Sequence, residues 1–180
     1  HYPLRRQRQM CIRDRAGAVS IELYLQSEHK QTGEIGTILS LYDGPLPSNL
    51  VIAQWKSELL LRTAVTNPSG RRAHHEVSVS AGLRAGIRRF IVITSGAEGT
   101  SFYMDGVPAK SYPRHTLRPD ILRGRLIIGD APEGGSHWAG KLTGVAMFSR
   151  SLTAQEVARH YRLWRGKRLQ RFQAEPGLSA

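Results

Sequence analysis

A single cysteine, Cys11, stands in the 180 residues, so no disulfide closes within the chain, and no Cys/His spacing matches a structural zinc site. No apolar run approaches the roughly 18 residues that a membrane-spanning helix needs. The pattern of a charged start, an apolar stretch and a small-residue cleavage site is also missing, which leaves export open. Acidic residues are scarce, 14 against 26 Lys and Arg. Calcium asks for about six to eight oxygens, several of them anionic. Asp43 in "YDGP" and Asp130 in "GDAPEGG" stand apart, and no dense acidic loop supplies the rest, so no metal and no cofactor is expected.

The formal net charge of +12 is unevenly spread. Residues 1–15 carry five Arg and one Asp, residues 159–171 carry five Arg and one Lys without an acid, and residues 16–158 hold 15 basic against 12 acidic residues. The body is nearly balanced. Basic ends attract phosphates or anionic head groups, but no basic strip interleaved with exposed aromatics crosses the folded part, and nucleic acid is not an expected partner. The opening "HYPLRRQRQMCIRDR" has neither the period of a strand nor that of a helix. It reads as a basic arm or as foreign sequence at a fragment's start, since "MCIRDR" resembles translated sequencing-adapter read-through. Residues 1–15 are therefore set apart from the domain.

From Ala18 onward a period of two takes over. "VSIELYLQ" alternates from Val19 to Leu25, and "GTILSLYDG" follows a polar connection. "NLVIAQWK" and "ELLLRTAV" are separated by little more than Ser57, which predicts a hairpin. Asn67-Pro68-Ser69-Gly70 is a turn, because Pro presets its dihedral and Gly permits positive φ. "HHEVSVSAG" puts Val77 and Val79 on one face, and "RRFIVITSG", β-branched and closed by glycine, reads as a central strand. Asp105-Gly106 is a favoured two-residue hairpin turn. "GRLIIGD" and "KLTGVAMFSR" complete about ten short strands, the spacing of antiparallel sheets packed face to face.

Only "SLTAQEVARHYRLW" reads as helix. Thr153 and Glu156 form a capping box, Val157, Tyr161 and Trp164 make one apolar stripe, and Arg159, Arg162 and Arg165 occupy other faces. Cations in the last turn suit the negative end of the helix dipole. Gly166 is a plausible stop. Residues 166–180 then read as a linker, after a single domain at residues 16–165.

Four elements in order, Tyr103 to Gly106, Leu126 to Gly129, Trp138 to Gly140 and Arg150 to Glu156, resemble the laminin G-like, concanavalin A-like lectin/glucanase family. The resemblance implies an all-β fold: an antiparallel two-sheet jelly-roll sandwich with one C-terminal helix. More narrowly, "GTILSLYDG" and "ITSGAEGTSFYMDG" are similar to the lectin-like domain of VanZ-like bacterial membrane proteins. That likeness implies an extracytoplasmic module, tethered to a membrane only through parts of a larger protein that this chain does not include.

Glucanases of this superfamily project their carboxylates from one strand as an "E-x-D-x-E" alternation, and a retaining pair sits about 5–5.5 Å apart. No such alternation occurs here. Glu22, Glu58 and Glu76 each stand alone, at positions expected to face solvent. Ser95 and Ser136 lie in no strand-to-helix elbow that would expose a nucleophile. No catalytic residue is assigned, and the chain is expected not to be an enzyme. The expected function is recognition of a carbohydrate or another cell-envelope ligand, against the alternatives of a structural or protein-interaction domain and a glycosidase relative lacking the acid pair. Trp55, His137 and Trp138 offer flat faces for a sugar ring, and Asp130, Glu133 or Asp43 offer hydroxyl acceptors. Against this, the Trp138 position packs inside in the resembled fold, and Trp55 lies at a strand end. His74 and His75 point to opposite faces of a strand and cannot share one metal.

Overall fold

In the computed structural model, residues 17–28, 33–44, 48–80 and 82–173 are described, with side chains as far as residue 166. The expectations for residues 1–15 lie outside them. Ten strands form: β1 (Val19–Ser27), β2 (Ile35–Tyr42), β3 (Leu50–Trp55), β4 (Glu58–Thr66), β5 (Arg72–Val79), β6 (Arg88–Gly96), β7 (Gly99–Met104), β8 (Val107–Tyr112), β9 (Arg125–Ile128) and β10 (Gly140–Phe148). A short 3-10 turn at Pro119–Leu122 precedes β9, and α1 (Ala154–Gln173) follows β10; these ten strands and one α-helix are those among the described residues. The strands make two antiparallel five-stranded sheets, in the orders β10-β1-β6-β7-β8 and β5-β4-β3-β2-β9. This is the jelly-roll sandwich the alternation predicts, with β6 central in its sheet.

The pleat decides what is buried. On β1, Ile21, Leu23 and Leu25 turn inward against Ile91, Ile93 and Phe102 of their own sheet and Ile52, Leu59 and Leu61 of the other. On β6 the intervening Phe90 and Val92 face the other way, where Leu152 and Val157 of the helical segment cover them. Strands β1 and β6 are thus buried on both sides. Tyr24, Tyr103, Phe148, Tyr161 and Trp164 complete this second layer, with the Tyr161 ring stacked on Phe90 at 5.9 Å between centroids.

Polar groups caught between sheet and helix are matched to one another. Ser20 Oγ donates to Thr94 Oγ1 at 3.0 Å, Thr94 and Ser151 share a hydrogen bond of 2.7 Å, and the Leu152 amide donates to Ser20 Oγ at 3.0 Å. This network seats the start of the helix. Thr153 and Glu156 make the predicted capping box: the Thr153 amide donates to Glu156 Oε2 (2.8 Å) and the Glu156 amide to Thr153 Oγ1 (3.3 Å). Glu22 does not face solvent as its apolar neighbours suggested. It is 3% exposed, because α1 lies over its face of β1, and its Oε1 meets His160 Nδ1 at 2.5 Å. Nor does Gly166 stop the helix, which continues to Gln173.

The hairpin turn at Asp105-Gly106 has φ of 53° and 85°, the mirror-image turn that fits strand twist. Asp105 is also pinned: its Oδ1 accepts from the Phe90 amide at 3.0 Å, and its other oxygen pairs with Arg89. A Cβ on Gly106 would stand 2.9 Å from the Tyr161 ring, so glycine also lets the helix approach.

At the end where β1 and β3 finish, the Trp138 indole plugs the core. Its Nε1–H donates to Gln54 Oε1 at 2.8 Å, which also accepts from Ser27 Oγ at 2.8 Å, while Gln54 Nε2 donates to Lys56 O at 2.6 Å. Gly140 lies against the same indole. A Cβ there would press on the ring edge and stand 2.7 Å from Gln26 O. Gly140→Ala should therefore destabilise the fold by about 1–3 kcal/mol, the cost of overpacking a filled site. Gly166 has open space around it, so Gly166→Ala should stabilise by about 0.5–1 kcal/mol through helix propensity alone. Denaturant midpoints of the two variants, moving in opposite directions from the parent, check both.

Candidate functional site

Of the five residues singled out for ligand contact, Trp55, His137 and Trp138 lie toward one end of the sandwich, Asp130 meets His137, and Glu133 acts on His74 instead. Trp138 is 9% exposed, with its ring in the core, so neither face is open to a sugar. Its neighbour His137 stays outside, where it bridges Thr37 of β2 in parallel register. Asp130 organises the loop between β9 and β10. Its Oδ1 accepts from the Ala131 and Ser136 amides at 2.8 and 3.0 Å, and its Oδ2 meets His137 Nδ1 at 2.9 Å. The Ala131 amide above all holds the Asp130 carboxyl below its ordinary range. With both oxygens engaged, Asp130 holds the loop closed. Glu133 is exposed in the same loop. Trp55, paired with Ile35 across β2 and β3, is 36% exposed; its Nε1–H donates to Gly33 O at 2.9 Å and Lys56 Nζ lies 4.5 Å over its ring. One indole face is thus occupied by an ammonium. Asp43 lies at the far end of β2, away from this group.

A different arrangement occupies the opposite end, where β1 begins and β6 and β10 finish. A cleft of about 880 Å³, within the usual range of small-ligand sites, is floored by Gly17, Ala18, Gly96 and Ala97. Thr116, Leu117 and Arg118 form one wall, and Arg150, Ser151, Thr153 and Glu156 at the start of the helix form the other. The small floor follows from chain geometry, since strands that end together leave room when their last residues lack bulk.

The walls are polar and charged. Arg150 Nη1 donates to Glu156 Oε1 at 2.8 Å, and its guanidinium lies 5.9 Å over the Phe148 ring. Glu156 therefore serves the cap and the arginine together. The Thr153 amide first, then Arg150 and the Thr153 hydroxyl, hold its carboxyl below the ordinary range. Arg118 reaches Asp120 Oδ1 at 3.3 Å but keeps 80% of its side chain exposed, a guanidinium with most donors free for a ligand. No local spacing in the sequence announces this cleft. Arg118 and Arg150 come from different loops, and the Thr153/Glu156 pattern reads as capping alone.

Glu22, Glu28, Glu76, Asp105, Asp120, Asp130 and Glu156 each lie against a Lys, Arg or His. Asp130 and Glu156 are pushed toward ionisation, opposite to the shift a general acid needs. Among the described residues no group of three His, Cys, Asp or Glu converges on a metal-sized site, and no helix is long and apolar enough to cross a membrane.

A family model described as the concanavalin A-like lectin/glucanases superfamily, Laminin_G_3, matches residues 13–158. Among solved structures, the Ruminococcus gnavus IT-sialidase CBM40 bound to α2,3-sialyllactose superposes with a TM-score of 0.64 at 9% identity, over 89% of this chain and 91% of that one. The botulinum neurotoxin type G receptor binding domain superposes with a TM-score of 0.61 at 13% identity, over 82% of this chain but 38% of that one. The chain thus spans well under half of the toxin domain's length. No curated protein sequence matches. At such identities the likeness is one of fold.

Burial pushes the His115 imidazole below its ordinary value, and the neighbouring His75 adds to the shift. Burial also lowers His74, against the upward pull of the Ser48 carbonyl. A lowered folded value means that the unfolded chain holds the proton more tightly. Stability is then complete above the unfolded value of about 6.5 and declines as pH falls from there toward the folded values. Urea midpoints should be level between about pH 8 and 7, fall as pH drops below about 6.5, and fall less steeply in His74→Asn.

Proposed function

The chain belongs to the Laminin_G_3 family of the concanavalin A-like lectin/glucanase superfamily, and from that premise we propose that it is a non-catalytic recognition module for a carbohydrate of the cell envelope. The observation that carries this reading is the cleft between the strand ends and the start of the helix. Its lining of small residues leaves room for a flat ring, and the guanidinium groups of Arg118 and Arg150 offer donors suited to ring hydroxyls. The neighbour with the higher TM-score, the sialidase CBM40, was solved with a bound oligosaccharide, which supports the same class of ligand. Glu22, the most deeply buried strand carboxylate, meets a histidine and not a second acid, which speaks against a glycosidase.

The module comprises residues 16–165 with the rest of α1 extending from it. Its parent is a bacterial protein of the VanZ-like kind, and the module lies outside the cytoplasm, held at the membrane by segments beyond this chain. The "GTILSLYDG" and "ITSGAEGTSFYMDG" stretches support that setting. A second site reading rests on the exposed part of Trp55, with His137 in the loop that meets β2.

A glycan array probed with the whole chain, followed by calorimetry on the best ligand, tests the proposal. Arg118→Ala removes an exposed side chain and should leave folding intact while weakening binding by about tenfold, the worth of one charge-assisted hydrogen bond. Trp55→Ala should leave affinity unchanged. The reverse pattern moves the site to the Trp55 rim, and a folded chain that binds no glycan overturns the reading.

A further inference from the structure

Where the open edges of the two sheets meet, two imidazoles face each other. His75 lies on the inward row of edge strand β5, opposite Thr63. His115 follows β8 of the other sheet, is 5% exposed, and is fixed through its backbone: its carbonyl accepts from Thr100 Oγ1 at 2.7 Å and its amide donates to Tyr112 O at 3.1 Å. The two Nδ1 atoms stand 2.7 Å apart, with ring centroids at 4.7 Å.

We propose that His75 and His115 form a two-imidazole chelate for a borderline divalent transition-metal ion such as Zn²⁺ or Cu²⁺, clamping the two sheets together at this seam. Imidazole nitrogen is the preferred ligand of these ions. With metal–nitrogen distances of about 2.0–2.1 Å and a tetrahedral angle, the two nitrogens would sit about 3.3 Å apart. The opening required is roughly 0.6 Å. It falls on His75, which is exposed and carried by an edge strand, while His115 stays where its backbone bonds hold it.

One of the facing nitrogens must carry a hydrogen and the other a lone pair, for two N–H groups or two lone pairs would repel. Presenting both Nδ1 lone pairs to a metal breaks that bond and moves its hydrogen to the Nε2 of the ring that holds it. His115 Nε2 has no hydrogen-bond partner, so its N–H in the metal-bound form goes unpaired, a cost that the metal–nitrogen bond must exceed. Burial keeps His115 neutral near pH 7, so no proton has to be displaced from it. Solvent on the His75 side would supply the remaining ligands. His74, the sequence neighbour, faces the other way and bonds Ser48 O at 3.1 Å, so it takes no part.

Calorimetric titration of the chelator-stripped whole chain with Zn²⁺, paired with thermal denaturation and histidine ring ¹⁵N spectra, tests the site. The expected result is one ion per chain, a raised Tm, and joint displacement of the His75 and His115 ring signals. His75→Ala, at an exposed position, should fold, weaken this binding by about tenfold or more and abolish the Tm gain, whereas His74→Ala should behave as the parent. An equal Zn²⁺ response in His75→Ala and the parent, or a parent that takes up no Zn²⁺, overturns the proposal.

Discussion

The constraint on which the rest of the structure depends is the burial of strands β1 and β6 on both faces. β1 and β6 pack Ile21, Leu23, Ile91 and Ile93 against the opposing sheet and Phe90 and Val92 against the helix. A strand in this position cannot leave a polar side chain unmatched on either side, because an unpartnered buried donor or acceptor costs about 1–3 kcal/mol. Ser20, Glu22 and Thr94 fall on the helix side by the pleat, and each meets a group that the helical segment brings: Arg150 O and the Leu152 amide, His160, and Ser151. The helix and the sheet are therefore specified together. Removing the helix would expose apolar surface and strand these polar groups at once.

That constraint also decides where recognition can occur. The outer face of β1 and β6 is taken by the helix, and one end of the core is closed by Trp138, whose indole, Gln54 and Ser27 satisfy one another. The opposite end stays open. There the strands finish on small residues, and the helix begins with its cap directed to the same place, so its first turn is both a structural terminus and a wall of the cleft. Glu156 joins the two roles, since the oxygen facing Arg150 and the oxygen facing the Thr153 amide belong to one carboxylate. Orientation of the arginine is thus inherited from helix capping. A rigid donor costs less entropy on binding than a free one.

What was legible in the sequence follows from range. Alternation within a strand, the Asp105-Gly106 turn and the Thr153/Glu156 box are local, and each is carried by residues a few positions apart. The structure matches all three. Glu22 was misread because a period of two states which face a residue occupies but not what covers that face. Its cover, His160, lies 138 residues away. Gly166 was misread for a related reason: glycine lowers helix propensity by about 1 kcal/mol relative to alanine, too little to end a helix in its own right. The cleft was invisible because its arginines meet only through the strand order.

The seam between β5 and β8 shows how a far contact shapes that cleft. Tyr112 at the end of β8 donates its hydroxyl to Ser78 O at 2.5 Å and accepts from the Ser78 amide at 3.1 Å, tying the edge of one sheet to the edge of the other. Three residues on, His115 repeats the link through His75, and its carbonyl is held by Thr100, whose hydroxyl lies 2.9 Å from Ser95 Oγ. Ser95 Oγ in turn accepts from the Leu117 amide at 2.8 Å. Leu117 and its neighbours Thr116 and Arg118 are the cleft wall. The position of that wall is thus set by a chain of hydrogen bonds running from the sheet seam to the cleft floor, together with the burial of Leu117 in the core. Polar bonds hold narrow geometries where apolar contacts tolerate sliding. Arg118 is carried on this wall, where Asp120 engages its Nε at 3.3 Å and the remaining guanidinium donors point to the incoming ligand.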